Sequence, residues 1–320
     1  MRGGQPAPQT RYALIMKGRR RRGKAPGSGG HRAGKEKDMR EVRIWVLSDN
    51  TAAPPVFLAE HGLSLLLEVE GKRYLLDTGQ GEVAVRNAER MGVDLRGVEA
   101  IILSHGHYDH TAGLPQALRR TGPCRVICHP AALHAKYYQL GEIRRHIGIP
   151  WRRDYLVANG AAFGESTGPT LLAEGVWVTG EIPRRTDYEP GDPNLKCEVD
   201  GVLEVDPLLD DQAVVVDTGE GLVVVLGCAH AGAMNTCLYA REISGVERIL
   251  AVVGGSHLAF LGREQLLRTI EELRAMDPAR LAFSHCTGQA AALELATTFG
   301  DRFIFNQTGT CLTLDASLLG

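Results

Sequence analysis

A buried strand that opens directly into a cluster of metal-binding side chains constrains this chain more than any other feature. Residues 98–103 read Val-Glu-Ala-Ile-Ile-Leu, and residues 104–114 follow as Ser-His-Gly-His-Tyr-Asp-His-Thr-Ala-Gly-Leu. The first run is β-branched and apolar, which predicts a core strand. The second places His105, His107, Asp109 and His110 within six residues. Imidazole nitrogen and carboxylate oxygen are the donors that hold zinc, iron or manganese at hydrolytic centres. A single histidine here would ordinarily be a surface residue in a polar loop, but four donors at this spacing argue for metal ligation. A strand end holds such side chains rigidly while leaving coordination positions open. The expectation is a metalloenzyme.

Charge divides the chain unevenly. The first forty residues carry 12 Lys/Arg against 2 Asp/Glu, and the remaining residues carry 24 against 36. The acidic body argues against a general nucleic-acid surface. Residues 1–41 are rich in Arg, Gly and Pro, include Arg19-Arg20-Arg21-Arg22, and lack apolar periodicity, so they read as a disordered basic tail. The alternative is a basic arm for RNA or anionic lipid. Met39 opens a more protein-like sequence and is a candidate translation start, which the N-terminal mass of native protein would test. Tyr12–Met16 is shorter than the apolar stretch of about 7–15 residues that a secretory signal needs. No apolar run approaches the ~20 residues of a membrane span. Seven cysteines without a Cys-x-x-Cys pair fit reduced thiols in the cytoplasm.

Residues 42–320 read as one domain with a 44% hydrophobic share across the chain, enough for a sizeable core. Strands are predicted at 42–47, 63–69, 74–76, 98–103, 125–128, 176–179, 213–217, 222–226, 249–253 and 281–283. Helices are predicted near 82–91, 131–140, 232–243, 263–275 and 289–298. Residues 141–170 read as a long irregular insertion, and 303–305 with 311–314 as a closing strand pair. Strand–helix alternation in both halves suggests a four-layer α/β arrangement of two packed mixed sheets with helices outside.

Three further apolar strands end in a histidine beside small residues. Gly227-Cys228-Ala229-His230-Ala231-Gly232 follows the Val-Val-Val-Leu run, Gly254-Gly255-Ser256-His257 follows 250–253, and Ser284-His285-Cys286-Thr287-Gly288 follows 281–283. Small residues let backbone approach a metal or ligand closely. One such histidine is as easily a satisfied core residue; three in a chain that already carries His105–His110 favour a shared centre.

From about Val42 to Leu314 the sequence resembles the metallo-β-lactamase fold superfamily. The resemblance rests on Leu76-Asp77-Thr78-Gly79, the His105-x-His107-x-Asp109-His110 signature and the later histidine-bearing strand ends. It implies an αββα sandwich with two divalent metal ions, most often zinc, with manganese, iron or magnesium as alternatives. His105, His107 and His230 would hold one ion; Asp109, His110 and His285 the other. Asp77 would lie outside the ligand sphere and orient a ligand histidine. The chain departs from the superfamily in presenting no bridging Asp after the third motif; Cys228 or His257 stands in that place, or nothing does.

Glu60-His61-Gly62-Leu63-Ser64, Gly180-Glu181-Ile182-Pro183-Arg184, the Gly227–Gly232 and Gly255–Leu258 segments and His285-Cys286-Thr287-Gly288 are together similar to one subgroup, the dihydropterin-ribofuranosylaminobenzene-phosphate synthase group. That resemblance implies a transferase joining a pterin-methyl diphosphate to a ribosylated aminobenzene phosphate. A hydrolase using metal-bound hydroxide on a phosphoester or other ester is the alternative, because fold and metal site do not fix the substrate. A non-catalytic, metal-stabilised ligand sensor is the third reading, against which the complete ligand set weighs. In either enzyme reading Asp109 is a candidate proton acceptor. Arg184 and His257 are candidate substrate-binding residues for an anionic small molecule, with a solvated surface arginine as the plainer reading of Arg184. Lys136 and His129 could line the same mouth, His129 not as a ligand. Cys228 is either a thiolate ligand or, more plainly, a small core cysteine.

Overall fold

The computed structural model describes residues 39–319, so the expected basic tail lies outside the described residues up to position 38. Met39 to Glu41, which composition places in that tail, belong to the fold. Met39 packs against the core, and the Arg40 amide donates to the Thr218 carbonyl at 2.8 Å. The described residues belong to one compact unit.

Two seven-stranded sheets dominate it. The first has the order Cys311–Leu314, Val42–Ser48, Ser64–Val69, Lys72–Leu76, Val98–Ile102, Cys124–Cys128, Ala161–Glu165. The second runs Phe303–Phe305, Arg280–Ser284, Ile249–Gly255, Leu222–Leu226, Val214–Asp217, Val176–Val178, Thr170–Ala173. Side-chain alternation along the strands explains the layering. Ile44, Leu65, Leu67 and Ile102 of the first sheet pack with Val214, Val223, Val225 and Val253 of the second in a core between the sheets. The opposite faces are covered separately. Leu66, Leu75, Ile101 and Val126 pack under the helices Val83–Met91 and Leu114–Thr121, and Val215, Val224, Val252 and Phe283 under Ala233–Ser244, Arg263–Met276 and Gln289–Phe299. This is an αββα sandwich. Strands buried on both faces need continuous apolar runs, which is what Leu222–Leu226 and 249–253 supply.

In each sheet the strands nearest the site are parallel, Lys72–Leu76 through Ala161–Glu165 in one and Leu222–Leu226 through Phe303–Phe305 in the other. Their C-terminal ends therefore open on one edge of each sheet, the usual place for a ligand site in parallel α/β architecture.

Three expectations need correction. The helix expected at 131–140 is a single 3₁₀ turn, Pro130–Leu133, followed by a strand, Ala135–Leu140. That strand joins Ile143–His146, Leu195–Val199 and Val202–Val205 in a separate four-stranded sheet. The stretch 141–170 is thus not irregular; it also holds the helix Arg153–Ala158 and the edge strand Ala161–Glu165. Finally, 303–305 and 311–314 do not pair with each other. They close opposite sheets, one parallel beside Arg280–Ser284 and the other antiparallel beside Val42–Trp45. Among the described residues no helix is long and apolar enough to cross a membrane. All seven cysteines are unpaired, six of them buried.

Candidate metal centre

The strand ends converge. His105 and His107 leave strand Val98–Ile102, and His230 comes from the loop after Leu222–Leu226. His105 Nε2 lies 2.9 Å from His107 Nδ1 and 3.3 Å from His230 Nε2. A second triangle lies beside the first. His110 Nε2 is 3.1 Å from His285 Nε2, His285 Nε2 is 3.4 Å from Asp109 Oδ2, and Asp109 Oδ2 is 3.7 Å from His110 Nε2. Donors held ~2.0–2.1 Å from a tetrahedral ion stand about 3.3 Å apart, so both triangles have the dimensions of ligand sets.

Hydrogen bonding behind the rings decides which nitrogens carry lone pairs. A carboxylate only accepts, so the Ser104 hydroxyl donates to Asp77 Oδ2 at 2.7 Å, and its oxygen then accepts from His105 Nδ1 at 2.9 Å. His110 Nδ1 donates to the same Asp77 oxygen at 2.6 Å, and His285 Nδ1 donates to Asn50 Oδ1 at 2.9 Å. In its neutral form each of these rings therefore turns an Nε2 acceptor toward its triangle, where nitrogens 2.9–3.3 Å apart need a cation or a shared proton between them. His107 Nε2 and His230 Nδ1 are buried without partners.

Electrostatics separate the two sets. Burial, with the other imidazoles and Lys136 nearby, holds His105 and His230 well below the usual histidine range and His107 at about 3. Burial opposes charge on His110 too, but the Asp77 and Asp109 carboxylates outweigh it and raise its pKa to about 9. For Asp109, burial is likewise outweighed, by His110, His285 and His107, and its carboxyl stays well below the usual range. The first triangle is neutral and the second carries a proton that a cation would replace.

The backbone is shaped around this centre. Asp77, Ala229, His257 and His285 all sit at positive φ, between 53° and 59°, at or just beyond strand ends. Non-glycine residues adopt that region at a cost of about 1–3 kcal/mol each, the kind of strain that clusters at functional sites. Gly227 permits the sheets to close up here, since a Cβ on it would lie 2.1 Å from Ser104 Oγ.

The remaining candidates are placed as follows. His257 is buried beside the centre, its ring 4.2 Å from that of His230, with neither ring nitrogen partnered. Arg184 is exposed, and its guanidinium donates to the backbone carbonyls of Glu189 (3.0 Å), Pro207 (3.4 Å) and His230 (3.0 Å). It thereby braces the loop that carries His230. Lys136 is fully buried between Asp206 (2.6 Å) and Asp210 (2.9 Å), and Asp210 accepts the Gly106 amide between His105 and His107 at 2.8 Å. His129 Nδ1 accepts the Ala131 amide and caps the 3₁₀ turn. His61 was not expected at the site. Half exposed, it sets Nε2 3.3 Å from Asp109 Oδ2 and, with Asp109 and His285, forms a third donor group. Its only sequence signal is the Glu60-His61-Gly62 turn, whose partners lie some 50 and 220 residues away.

Facing sheets whose parallel strands end in clustered histidines define a layered α/β protein built to hold metal. The sequence matches the family model of the metallo-β-lactamase superfamily over residues 59–285, and the chain belongs to that superfamily. It is 31% identical over 270 residues to an uncharacterised protein of Methanocaldococcus jannaschii, covering 83% of this chain and 98% of that one. A second relative from the same organism, 28% identical over 279 residues (82% of this chain, 93% of the relative), is named 7,8-dihydropterin-6-methyl-4-(β-D-ribofuranosyl)-aminobenzene-5′-phosphate synthase. Among solved structures, a metal-dependent hydrolase of the β-lactamase superfamily matches with a TM-score of 0.74 at 29% identity, covering 86% of this chain and 99% of that one.

Proposed function

We propose that the chain is a metal-dependent transferase, similar to the pterin–aminobenzene phosphate synthase, that displaces diphosphate from an anionic small molecule. The observation that carries the metal part of this reading is the pair of donor triangles, six side chains whose facing donor atoms lie 2.9–3.7 Å apart. The synthase part rests on the relative that aligns over 82% of this chain. Two divalent ions, zinc foremost, would be held by His105, His107 and His230 and by Asp109, His110 and His285. Bound there, they would supply positive charge to neutralise an anionic leaving group.

The chain's own residues do the rest. A basic rim borders the mouth. Arg145 stacks over the Tyr108 ring at 5.2 Å, and Tyr108 sits between His107 and Asp109 with its ring 6.3 Å from that of His61. Arg145 lies on the exposed strand Ile143–His146 and offers its guanidinium beside Tyr108 to phosphate oxygens. His61, its pKa lowered by burial, is a neutral imidazole at the solvent edge and can take a proton from an incoming nucleophile or pass one to a departing group. Asp109 holds its proton-accepting oxygen against both His61 and His285.

Hydrolysis is the second reading, favoured by the solved relative described as a metal-dependent hydrolase. One experiment separates the two. Protein of known metal content is assayed for diphosphate release from a pterin-methyl diphosphate with and without the ribosylaminobenzene phosphate, and for phosphate release from simple phosphoesters. Diphosphate release that depends on the acceptor supports the transferase. Acceptor-independent release from esters refutes it in favour of the hydrolase, and no turnover with full metal occupancy favours a ligand sensor.

A further inference from the structure

We infer that Cys228 is a metal ligand, its sulfur occupying the place between the two donor triangles. The inference rests on the metal-centre reading and adds a donor to it. Cys228 Sγ lies 3.1 Å from His110 Nε2 and forms a compact donor group with His105 and His110, one residue from each triangle. No other cysteine is grouped with either of those histidines among the described residues. The neighbouring strand end presents Gly254, Gly255, Ser256 and His257 and no carboxylate, so the anionic donors beside His110 Nε2 are the Asp109 carboxylate, already counted in the second triangle, and the Cys228 sulfur.

A second thiol lies just behind and tests the assignment, because its sulfur is already engaged. Cys286 Sγ accepts the His257 amide at 3.2 Å and donates to the Cys228 carbonyl at 3.5 Å. Cys286 Sγ also lies within 4.8 Å of Cys228 Sγ and a His257 ring nitrogen but is grouped with neither His105 nor His110, whereas Cys228 Sγ faces an imidazole nitrogen that is itself a candidate ligand. Gly255 makes room for this arrangement, since a Cβ there would meet Cys286 Sγ at 2.7 Å. Ligation replaces the Cys228 S–H bond by a sulfur–metal bond and sends the proton to solvent. A thiolate in the ligand set favours zinc or iron over magnesium, which prefers oxygen donors.

The test uses the full chain loaded with zinc for X-ray absorption and with cobalt(II) for optical spectroscopy, with metal counted per chain. The expected result is two ions, one sulfur neighbour at ~2.3 Å from zinc, and a near-ultraviolet sulfur-to-cobalt charge-transfer band. Cys228→Ala should lose the band and weaken the second ion by more than the roughly 10–100-fold typical of removing an outer hydrogen-bond partner, while keeping one ion. Cys286→Ser should keep the band. Two ions without sulfur would overturn the inference and leave the metal centre standing. A band that survives Cys228→Ala, or a third ion lost equally with either thiol, would also overturn it. No bound metal at all would refute the metal-centre reading itself. The absorption measurement on wild-type protein decides the matter even if a variant fails to fold.

Discussion

Replacing Asp77 by Asn isolates the carboxylate that serves both triangles. Its Oδ1 accepts the Ser104 amide at 2.7 Å, and its Oδ2 accepts the Ser104 hydroxyl at 2.7 Å and His110 Nδ1 at 2.6 Å. Asn tolerates the φ of 59° at this position, so the backbone is undisturbed. The amide has one acceptor where the carboxylate has two. With its oxygen toward His110, its NH₂ opposes the Ser104 amide and a buried donor goes unpaired, a loss of about 1–3 kcal/mol in folding stability. Turned the other way, NH₂ meets His110 Nδ1 and moves the imidazole proton to Nε2, the atom that should bind metal. Loss of a carboxylate behind a ligand histidine weakens metal binding by roughly 10–100-fold, or about 1.4–2.8 kcal/mol at 1.4 kcal/mol per decade. The ion held by His110 should bear that loss. The ion held by His105 is reached only through Ser104 and should lose less than about tenfold, below the range for a direct partner. Zinc titration against a chromophoric chelator, with thermal unfolding of the metal-free protein, reads both quantities. Unchanged affinity at both sites, or a larger loss at the site of His105, would refute this reasoning.

The proton inventory gives a second prediction. In metal-free protein near neutral pH His110, raised to about 9, is charged, while His105, His107 and His230 are neutral. Filling the triangle of His105 should displace no imidazolium proton, whereas the second ion should release at least one and bind more tightly as pH rises toward 9. Calorimetric titration in buffers of different ionisation enthalpy measures this directly, and a second ion that binds without proton release contradicts it. Lys136→Met should destabilise the fold by about 3–5 kcal/mol at neutral pH, because it strands Asp206 and Asp210 without their buried cation. Burial opposes charge on Asp210 and Lys136 overcomes it, so the folded-state pKa lies below the unfolded one. The stability that this pair contributes is thus present above the usual carboxylate range and fades as pH falls through it, and the difference between wild type and variant should shrink in acid. Denaturant unfolding at neutral and acid pH checks it; a difference that grows in acid would be the wrong sign.

What could be read from the sequence follows from how local each determinant is. The six triangle donors all lie at or just beyond the ends of strands written as continuous apolar runs, so hydrophobic pattern and ligand chemistry mark the same places. The helices Ala233–Ser244, Arg263–Met276 and Gln289–Phe299 carry their own periodicity and fall within two residues of expectation. The strand Ala135–Leu140 was hidden because Ala131-Ala132-Leu133 is good helix sequence, while its partners give little signal: Ile143–His146, just beyond a turn, is mostly charged, and Leu195–Val199, some 60 residues distant, reads as charged alternation. The terminal strands misled for the related reason that two short apolar runs separated by a turn look like a hairpin, and only the position of each sheet's edge sends them apart.

The same distinction separates the candidate donors from what readies them for metal. Asn50 fixes the tautomer of His285 from 235 residues away, Ser104 that of His105 by leaning on Asp77, and His61 reaches Asp109 across a turn with no pattern of its own. Asn50 and Ser104 have no sequence signature of this role and the turn that carries His61 does not name its partners, since an Asn, a Ser or an exposed His becomes informative only once the fold has aimed it. Yet they decide which nitrogens face the centre as acceptors and where a mobile proton sits. Donor identity is therefore a property of the strand ends, and donor readiness a property of the packed sandwich. It follows that changes at Asn50 or Ser104 should impair metal binding while leaving every candidate donor in the sequence intact.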